Sequence, residues 1–188
     1  MRVIAGQYRS RPLRTMRGMD LRPTADRLRE TLFDVLTAGN PAALENTVWF
    51  DLYAGSGAVG IEALSRSAKL VYFVESSPKA AELIRENLRS LNIQSGFQII
   101  KTDAVPALRV LETQGATGDF FFLDPPYRMT EKYAETLQRL GESQILRSTS
   151  VVIAEHERRF DPGEAFGVLR RYRKLEQGDA ALSFYRPI

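Results

Sequence analysis

The 188-residue sequence predicts an α/β fold, a doubly wound and mostly parallel sheet with helices on both faces. Three observations carry this. Five short apolar runs, Val48–Tyr53, Leu70–Glu75, Phe97–Lys101, Phe120–Asp124 and Val151–Glu155, have the length and composition of buried strands. Stretches of helical spacing separate them, the pattern of parallel strands joined by right-handed crossovers. The segments rich in glycine, proline or acidic residues follow the same end of successive runs, where such sheets collect ligands.

Each element has its own signal. Thr24 to Ala38 reads as a helix through Leu28, Leu32, Val35 and Leu36, and Gly39-Asn40-Pro41 ends it. Further helices are expected near Ala58–Arg66, Pro78–Asn92, Val105–Glu112 and Glu131–Arg139; Ser77-Pro78 supplies a capping hydroxyl followed by proline at the first helical position. Val168–Leu175 and Ala181–Arg186, joined across Gln177-Gly178-Asp179, read as a closing antiparallel hairpin. Residues 1–22 form a basic arm ahead of the main domain, residues 23–188. The first 30 residues hold eight arginines (Arg2, Arg9, Arg11, Arg14, Arg17, Arg22, Arg27, Arg29) against Asp20, Asp26 and Glu30, a local excess of five positive charges in a chain of net +3. Arginine forks suit phosphate, so this stretch reads as a nucleic-acid arm, with a solvated tail as its competing reading.

Composition bounds the chemistry. At 44% hydrophobic and 26% charged residues the chain is an ordinary globular one, and a single main domain is expected. The absence of cysteine excludes disulfides and cysteine-based metal or nucleophile chemistry and fits a reducing compartment. No apolar run reaches the length of a signal-peptide core or a membrane span, so a cytoplasmic location without membrane partners is expected.

Two motifs point to a site. Asp124-Pro125-Pro126-Tyr127 follows Phe120-Phe121-Phe122-Leu123, and the two prolines end that strand in a stiff turn. The turn displays a carboxylate, a backbone carbonyl and an aromatic face, which suit a planar ring bearing an exocyclic amine: two acceptors for two N–H groups, and a ring for stacking. The second motif is Asp51-Leu52-Tyr53-Ala54-Gly55-Ser56-Gly57-Ala58-Val59-Gly60, a strand, a glycine turn and a helix start. Gly55-x-Gly57-x-x-Gly60 fits a dinucleotide fingerprint as well as an S-adenosylmethionine site, and Glu75, at the end of the next strand, could hold the ribose of either. Asp51 favours S-adenosylmethionine, because a carboxylate ahead of the glycines repels a pyrophosphate and can accept from an ammonium. Asp103 is placed to meet an adenine amino group, or it caps the following helix.

These residues resemble those of the class I S-adenosylmethionine-dependent methyltransferases, and more narrowly the RsmD family of small-subunit (16S) ribosomal RNA guanine-N2 methyltransferases. The selective segments are Arg2-Val3-Ile4-Ala5-Gly6 with Arg9 and Arg11, Arg22-Pro23-Thr24-Ala25-Asp26-Arg27-Leu28-Arg29-Glu30-Thr31-Leu32-Phe33, and Gly178-Asp179-Ala180-Ala181-Leu182-Ser183-Phe184-Tyr185. The resemblance implies a Rossmann-like, seven-stranded sheet, six strands parallel and one antiparallel, with an N-terminal hairpin extension. It implies S-adenosyl-L-methionine as cofactor, held by Thr24, Asp51, Tyr53, Gly55, Gly57, Glu75, Ser76, Asp103 and Ala104, and Arg22 closing with Thr24 over the methionine end. Asp124, Pro125 and Tyr127 would hold the target base, and Arg2, Arg9, Arg11, Arg14 and Arg22 the RNA. The partner would be small-subunit ribosomal RNA or the assembling subunit, met by a monomer, with no metal required. Two departures stand out: Ser10 and Pro12 replace a glycine and a basic residue in the arm, and Leu175-Glu176-Gln177 lacks an aromatic before Gly178.

The rival readings are a methyltransferase for another amine, such as adenine or cytosine in RNA or DNA or a protein glutamine, an NAD(P) oxidoreductase, and a non-catalytic RNA-binding module, against which the intact Asp124 and Glu75 argue. The first finds no room for a separate DNA-recognition domain, and the second no hydride-transfer acid. His156, the one histidine, reads as a solvated loop residue at the end of the fifth strand.

Overall fold

The computed structural model describes residues 1–16 and 23–188, with Pro23, Thr24 and Ala25 described by their backbone alone. Helix α1 (Pro23–Thr37) precedes strand β1 (Val48–Leu52), and α2 (Ala58–Ser65), β2 (Leu70–Val74), α3 (Pro78–Ser90), β3 (Phe97–Ile100), α4 (Ala104–Thr113), β4 (Gly118–Leu123), α5 (Glu131–Gly141) and β5 (Leu146–Glu157) then alternate. Strands β6 (Ala165–Phe166), β7 (Leu169–Gln177) and β8 (Ala180–Pro187) close the chain. The sheet order is β3-β2-β1-β4-β5-β8-β7-β6. Its first five strands pair in parallel, and β8 is antiparallel to both β5 and β7, so β7 runs with the first five.

Those seven strands have the expected arrangement of six one way and one reversed, but the sheet has eight strands, which corrects the expected number. The addition, β6, is two residues long and pairs with β7 through Phe166 and Leu169. Its cause is local. Gly141, at the end of α5, lets the Phe166 carbonyl approach so closely that a Cβ there would lie 1.9 Å from the oxygen, and the Phe166 ring packs edge-on to Tyr185 at 6.0 Å.

Alternating side chains divide the core in two. Trp49 points to one face, stacked between Phe33 of α1 (5.4 Å) and Phe120 (4.7 Å), while Phe50 points to the other, against Tyr72 (4.7 Å) and Phe121 (4.6 Å). Leu28, Leu32, Ile61, Ile84 and Leu88 place α1, α2 and α3 on the Trp49 face, and Leu108, Leu111, Leu137 and Leu140 place α4 and α5 on the Phe50 face.

The first 16 residues are folded onto the Trp49 face. Val3 and Leu13 are buried in its core, each contributing about 1.5–3 kcal/mol, and an antiparallel bridge joins Arg2 to Pro12. The amides of Ile4 and Ala5 donate to the two carboxyl oxygens of Glu62 at 2.7 and 3.0 Å. Glu62 is itself fully buried on α2 and also accepts from Arg66 Nε at 2.9 Å. Gly6, at φ +79°, runs so near α2 that a Cβ would lie 1.9 Å from the Ser65 carbonyl oxygen. Ser10, standing where the resemblance expects glycine, has a left-handed φ of 66°. A solvated tail is therefore excluded for residues 1–16, yet Arg2, Arg9, Arg11 and Arg14 keep their side chains exposed.

Candidate active site

The carboxyl ends of β3, β2, β1, β4 and β5 form one edge, and each carries or is followed by an acid: Asp103, Glu75, Asp51, Asp124 and Glu155. At about 4.8 Å per strand the row spans about 19 Å. The order reverses between β1 and β4: α2 leaves β1 towards one face and α5 follows β4 on the other, which opens a crevice at that switch point.

At β1 the chain leaves the sheet through Tyr53 in a left-handed conformation, φ 65°, and enters α2 through Gly57, φ 77°, as its N-cap. A strained non-glycine residue beside a glycine turn is a mark of a binding loop. A Cβ on Gly55 would meet nothing nearer than the Tyr53 carbonyl oxygen at 4.0 Å, so this part of the turn faces open space. Gly60 plays another part: a Cβ there would lie 2.3 Å from the Phe73 ring, so the third glycine seats α2 on β2. Its amide donates to Asp51 Oδ2 at 2.9 Å, and Asp51 is almost fully buried. Burial raises the Asp51 carboxyl to about 8; the Gly60 bond opposes the shift, and the charges of Asp124 and Glu75 add to it.

Glu75 braces the same turn. Its carboxyl oxygens accept from Gly55 N and Ser77 N, both at 2.8 Å, which ties the end of β2 to the glycine loop. Ser76 beside it is exposed. Asp103 is the N-cap of α4 with its side chain exposed and making no cap hydrogen bond, and Ala104 is buried behind it. Tyr53 is half-buried, its hydroxyl 2.7 Å from Thr136 Oγ1 on α5.

Beyond the switch point, Asp124 is half-buried, Pro125 buried and Tyr127 36% exposed. Tyr133 of α5 fixes this turn. Its hydroxyl donates to the Glu155 carbonyl at 2.8 Å and lies 3.5 Å from the Pro125 carbonyl. Burial raises the Asp124 carboxyl above the usual carboxylate range, and it raises Glu155 too, with the Asp124 charge adding and the Arg29 charge opposing. Three of the five acids on this edge, Asp51, Asp124 and Glu155, are thus desolvated, and the row as a whole suits cationic and N–H-bearing ligands and is hostile to a pyrophosphate.

Asp51, Tyr53, Gly55, Gly57, Glu75, Ser76, Asp103, Ala104, Asp124, Pro125 and Tyr127 therefore share one edge, as read from the sequence. Arg22 and the Thr24 side chain lie outside the described residues. The arm lies on α2 and α3, where Arg11 Nη2 donates to the Ser90 carbonyl at 3.0 Å and Arg14 pairs with Glu86 at 2.9 Å. Arg2, Arg9 and Arg27 line a cleft of about 440 Å³ together with Asp26 and Glu30.

His156 corrects the sequence reading. Strand β5 runs on to Glu157, paired with β8 through His156–Ala181 and Glu157–Ala180, so His156 is a fully buried strand residue. Its Nδ1 lies 2.8 Å from the Glu157 carbonyl and must donate; Nε2, 2.9 Å from Ser183 Oγ, then accepts. Burial lowers its pKa, and it serves packing, edge-on to Tyr133 and Phe160. Tyr133, Glu155 and Asn87 gave no signal as site residues in the sequence. Asn87, buried on α3, donates to the carbonyls of Ser56 (2.9 Å) and Arg14 (3.1 Å) and accepts from Arg14 N (2.8 Å), joining the glycine turn to the arm. Among the described residues no cluster could hold a metal ion, and no helix is long and apolar enough to cross a membrane.

Residues 1–186 match the family model described as conserved hypothetical protein 95. The Bacillus subtilis protein YlbH is 33% identical over 186 residues, 99% of this chain and 98% of its own. The Escherichia coli ribosomal RNA small subunit methyltransferase D is 32% identical over 157 residues, 84% of this chain and 75% of its own. Among solved structures, the Escherichia coli protein yhhF superposes with a TM-score of 0.83 at 27% identity, covering 100% of this chain and 97% of its own. The edge of acids, the glycine turn and the Asp-Pro-Pro-Tyr turn thus sit in a chain that belongs to the conserved hypothetical protein 95 family, the RsmD-like methyltransferases.

Proposed function

We propose that this chain transfers the methyl group of S-adenosyl-L-methionine to the exocyclic 2-amino group of a guanine in small-subunit ribosomal RNA. The observation that carries this is the pair of acceptors at the end of β4, the Asp124 carboxyl and the Pro125 carbonyl, next to the glycine turn of β1. Two acceptors match the two N–H bonds of an exocyclic amine.

The cofactor is S-adenosyl-L-methionine, and the residues present fit it. The turn is open at Gly55, and its Asp51 carboxyl, held up by burial, gains from an ammonium the partner that restores its charge. Glu75 retains acceptor capacity for a ribose diol, since each carboxylate oxygen has a second lone pair. Asp103 and Ala104 stand at β3 for the adenine, with Tyr53 and Ser76 alongside and Thr24 and Arg22 closing the methionine end. The cofactor supplies an activated methyl group on a sulfonium; this chain supplies orientation, worth about 7–11 kcal/mol when complete. Asp124 and the Pro125 carbonyl align the amine lone pair, Tyr133 holds that turn against β5, and Tyr127 stacks on the extruded base.

The arm, residues 1–22, grips RNA phosphates through Arg2, Arg9, Arg11, Arg14 and Arg22, and the domain 23–188 carries the chemistry. The protein acts as a cytoplasmic monomer on the RNA or the assembling subunit. The test is Asp124→Ala with labelled cofactor and unmodified small-subunit RNA: transfer should disappear while cofactor affinity changes less than threefold. Tyr127→Phe should retain most activity and Tyr127→Ala little. Full activity in Asp124→Ala would overturn the reading.

A further inference from the structure

We infer that Glu155 reads the base: its carboxylate accepts the ring N1–H of the guanine whose 2-amino group faces Asp124. The inference rests on the guanine reading above and adds the residue that makes the site selective for that base. Its ground is register. Phe122 pairs with Ile153 and Leu123 with Ala154 in the parallel ladder of β4 and β5, so the register carried one step past the end of β4 sets Asp124 beside Glu155, and the Asp124 charge acts on Glu155. Side chains two apart share a face, and Phe122 and Ile153 both lie in the core of the Trp49 face. Asp124 and Glu155 therefore project side by side on that face, about one strand spacing apart. On a guanine the 2-amino and N1–H groups are adjacent donors on one edge, so neighbouring acceptors on neighbouring strands match them.

The surroundings agree. Among the described residues no hydrogen bond ties the Glu155 or Asp124 carboxyl to another side chain, although both are desolvated. Both residues are half-buried, so a donor from a ligand can reach their carboxyls and complete their hydrogen bonding. Burial and the Asp124 charge favour the neutral form of Glu155, which still offers an acceptor oxygen; Arg29, buried on α1 across the same face, opposes them, and its Nε has no hydrogen-bond partner among the described residues. Tyr133 fixes the spacing of the two strand ends, its hydroxyl reaching the Glu155 carbonyl at 2.8 Å and the Pro125 carbonyl at 3.5 Å. Adenine and cytosine present a ring acceptor at the corresponding position, and two acceptors face to face repel.

The experiment uses the full chain and small-subunit RNA carrying either guanine or 2-aminopurine at the target position. 2-Aminopurine keeps the 2-amino group and lacks N1–H. Wild type should prefer guanine by roughly 5- to 150-fold in kcat/KM, the worth of one good base contact. Glu155→Ala should lower the guanine rate to near the 2-aminopurine rate, so the preference collapses towards one, while cofactor binding persists. Glu155→Gln, which keeps an acceptor oxygen and the side-chain volume, should retain part of the preference. An unchanged preference in Glu155→Ala overturns the inference, and so does equal use of both bases by wild type. Failure of the guanine reading looks different: the label would then fall on another base in wild type.

Discussion

Glu62 offers a quantitative test of how the arm is held. It is fully buried and accepts three hydrogen bonds, from Ile4 N, Ala5 N and Arg66 Nε. Bonds to a charged acceptor are worth about 1.5–3 kcal/mol each, and removing one partner of a buried, hydrogen-bonded charge pair costs about 3–5 kcal/mol. Two of the donors are part-buried arm amides beside Val3, which with Leu13 is packed in the core. Glu62→Ala should therefore destabilise the protein by about 3–5 kcal/mol, or release the arm and cost the burial of Val3 and Leu13, a sum of similar size. Glu62→Gln, whose amide oxygen still takes one arm N–H, should lose about 1–2 kcal/mol. Urea unfolding at constant slope measures the loss, and protease cleavage within residues 1–16 reports arm release. A loss below about 1 kcal/mol in Glu62→Ala, with the arm still protected, would refute the claim that this carboxylate latches the arm.

Three further outcomes follow from the same geometry. Asp51 has a folded-state pKa raised to about 8 from an ordinary 3.8, so the stability tied to its neutral form is complete below 3.8 and is lost as pH rises towards 8. Asp51→Asn should then be more stable than wild type by ~2–4 kcal/mol near pH 8, with the gap closing towards pH 4, and should bind the cofactor at least tenfold more weakly; a melting-temperature difference independent of pH would count against it. Replacing Arg2, Arg9, Arg11 and Arg14 with Ala should flatten the salt dependence of RNA affinity by roughly 0.7–0.9 in log–log slope per lost phosphate contact, with cofactor affinity unchanged; equal slopes would move the RNA surface to the basic stretch 170–174. Ser10→Gly should raise stability by about 1 kcal/mol in thermal melts, because the left-handed φ of 66° strains serine and not glycine.

Strand positions were legible where an apolar run met a turn, as at β1, whose end the sequence set one residue late because Tyr53 turns out of the ladder at φ 65°. Strand β5 was read as five residues and has 12, since its first half, Leu146 to Ser150, is polar and joins the ladder only through the irregular pairing near Gly118. The same extension buries His156, which a strand ending at Glu155 leaves in a solvated loop. Docking of the arm was invisible because its anchors, Glu62 and Asn87, lie 58 and 73 positions from the amides they hold. Glycines and acids placed the site edge in advance; setting Asp124 beside Glu155 takes the β4–β5 register, which no local pattern contains.

The most direct test of the central claim is to incubate the purified chain with methyl-labelled S-adenosyl-L-methionine and small-subunit RNA or particles lacking the modification, digest the RNA to nucleosides, and identify the labelled one by mass spectrometry. The account predicts label in N2-methylguanosine at a single site, absent with Asp124→Ala. Label in a methylated adenosine or cytidine, or none in RNA under conditions where the cofactor binds, would contradict it.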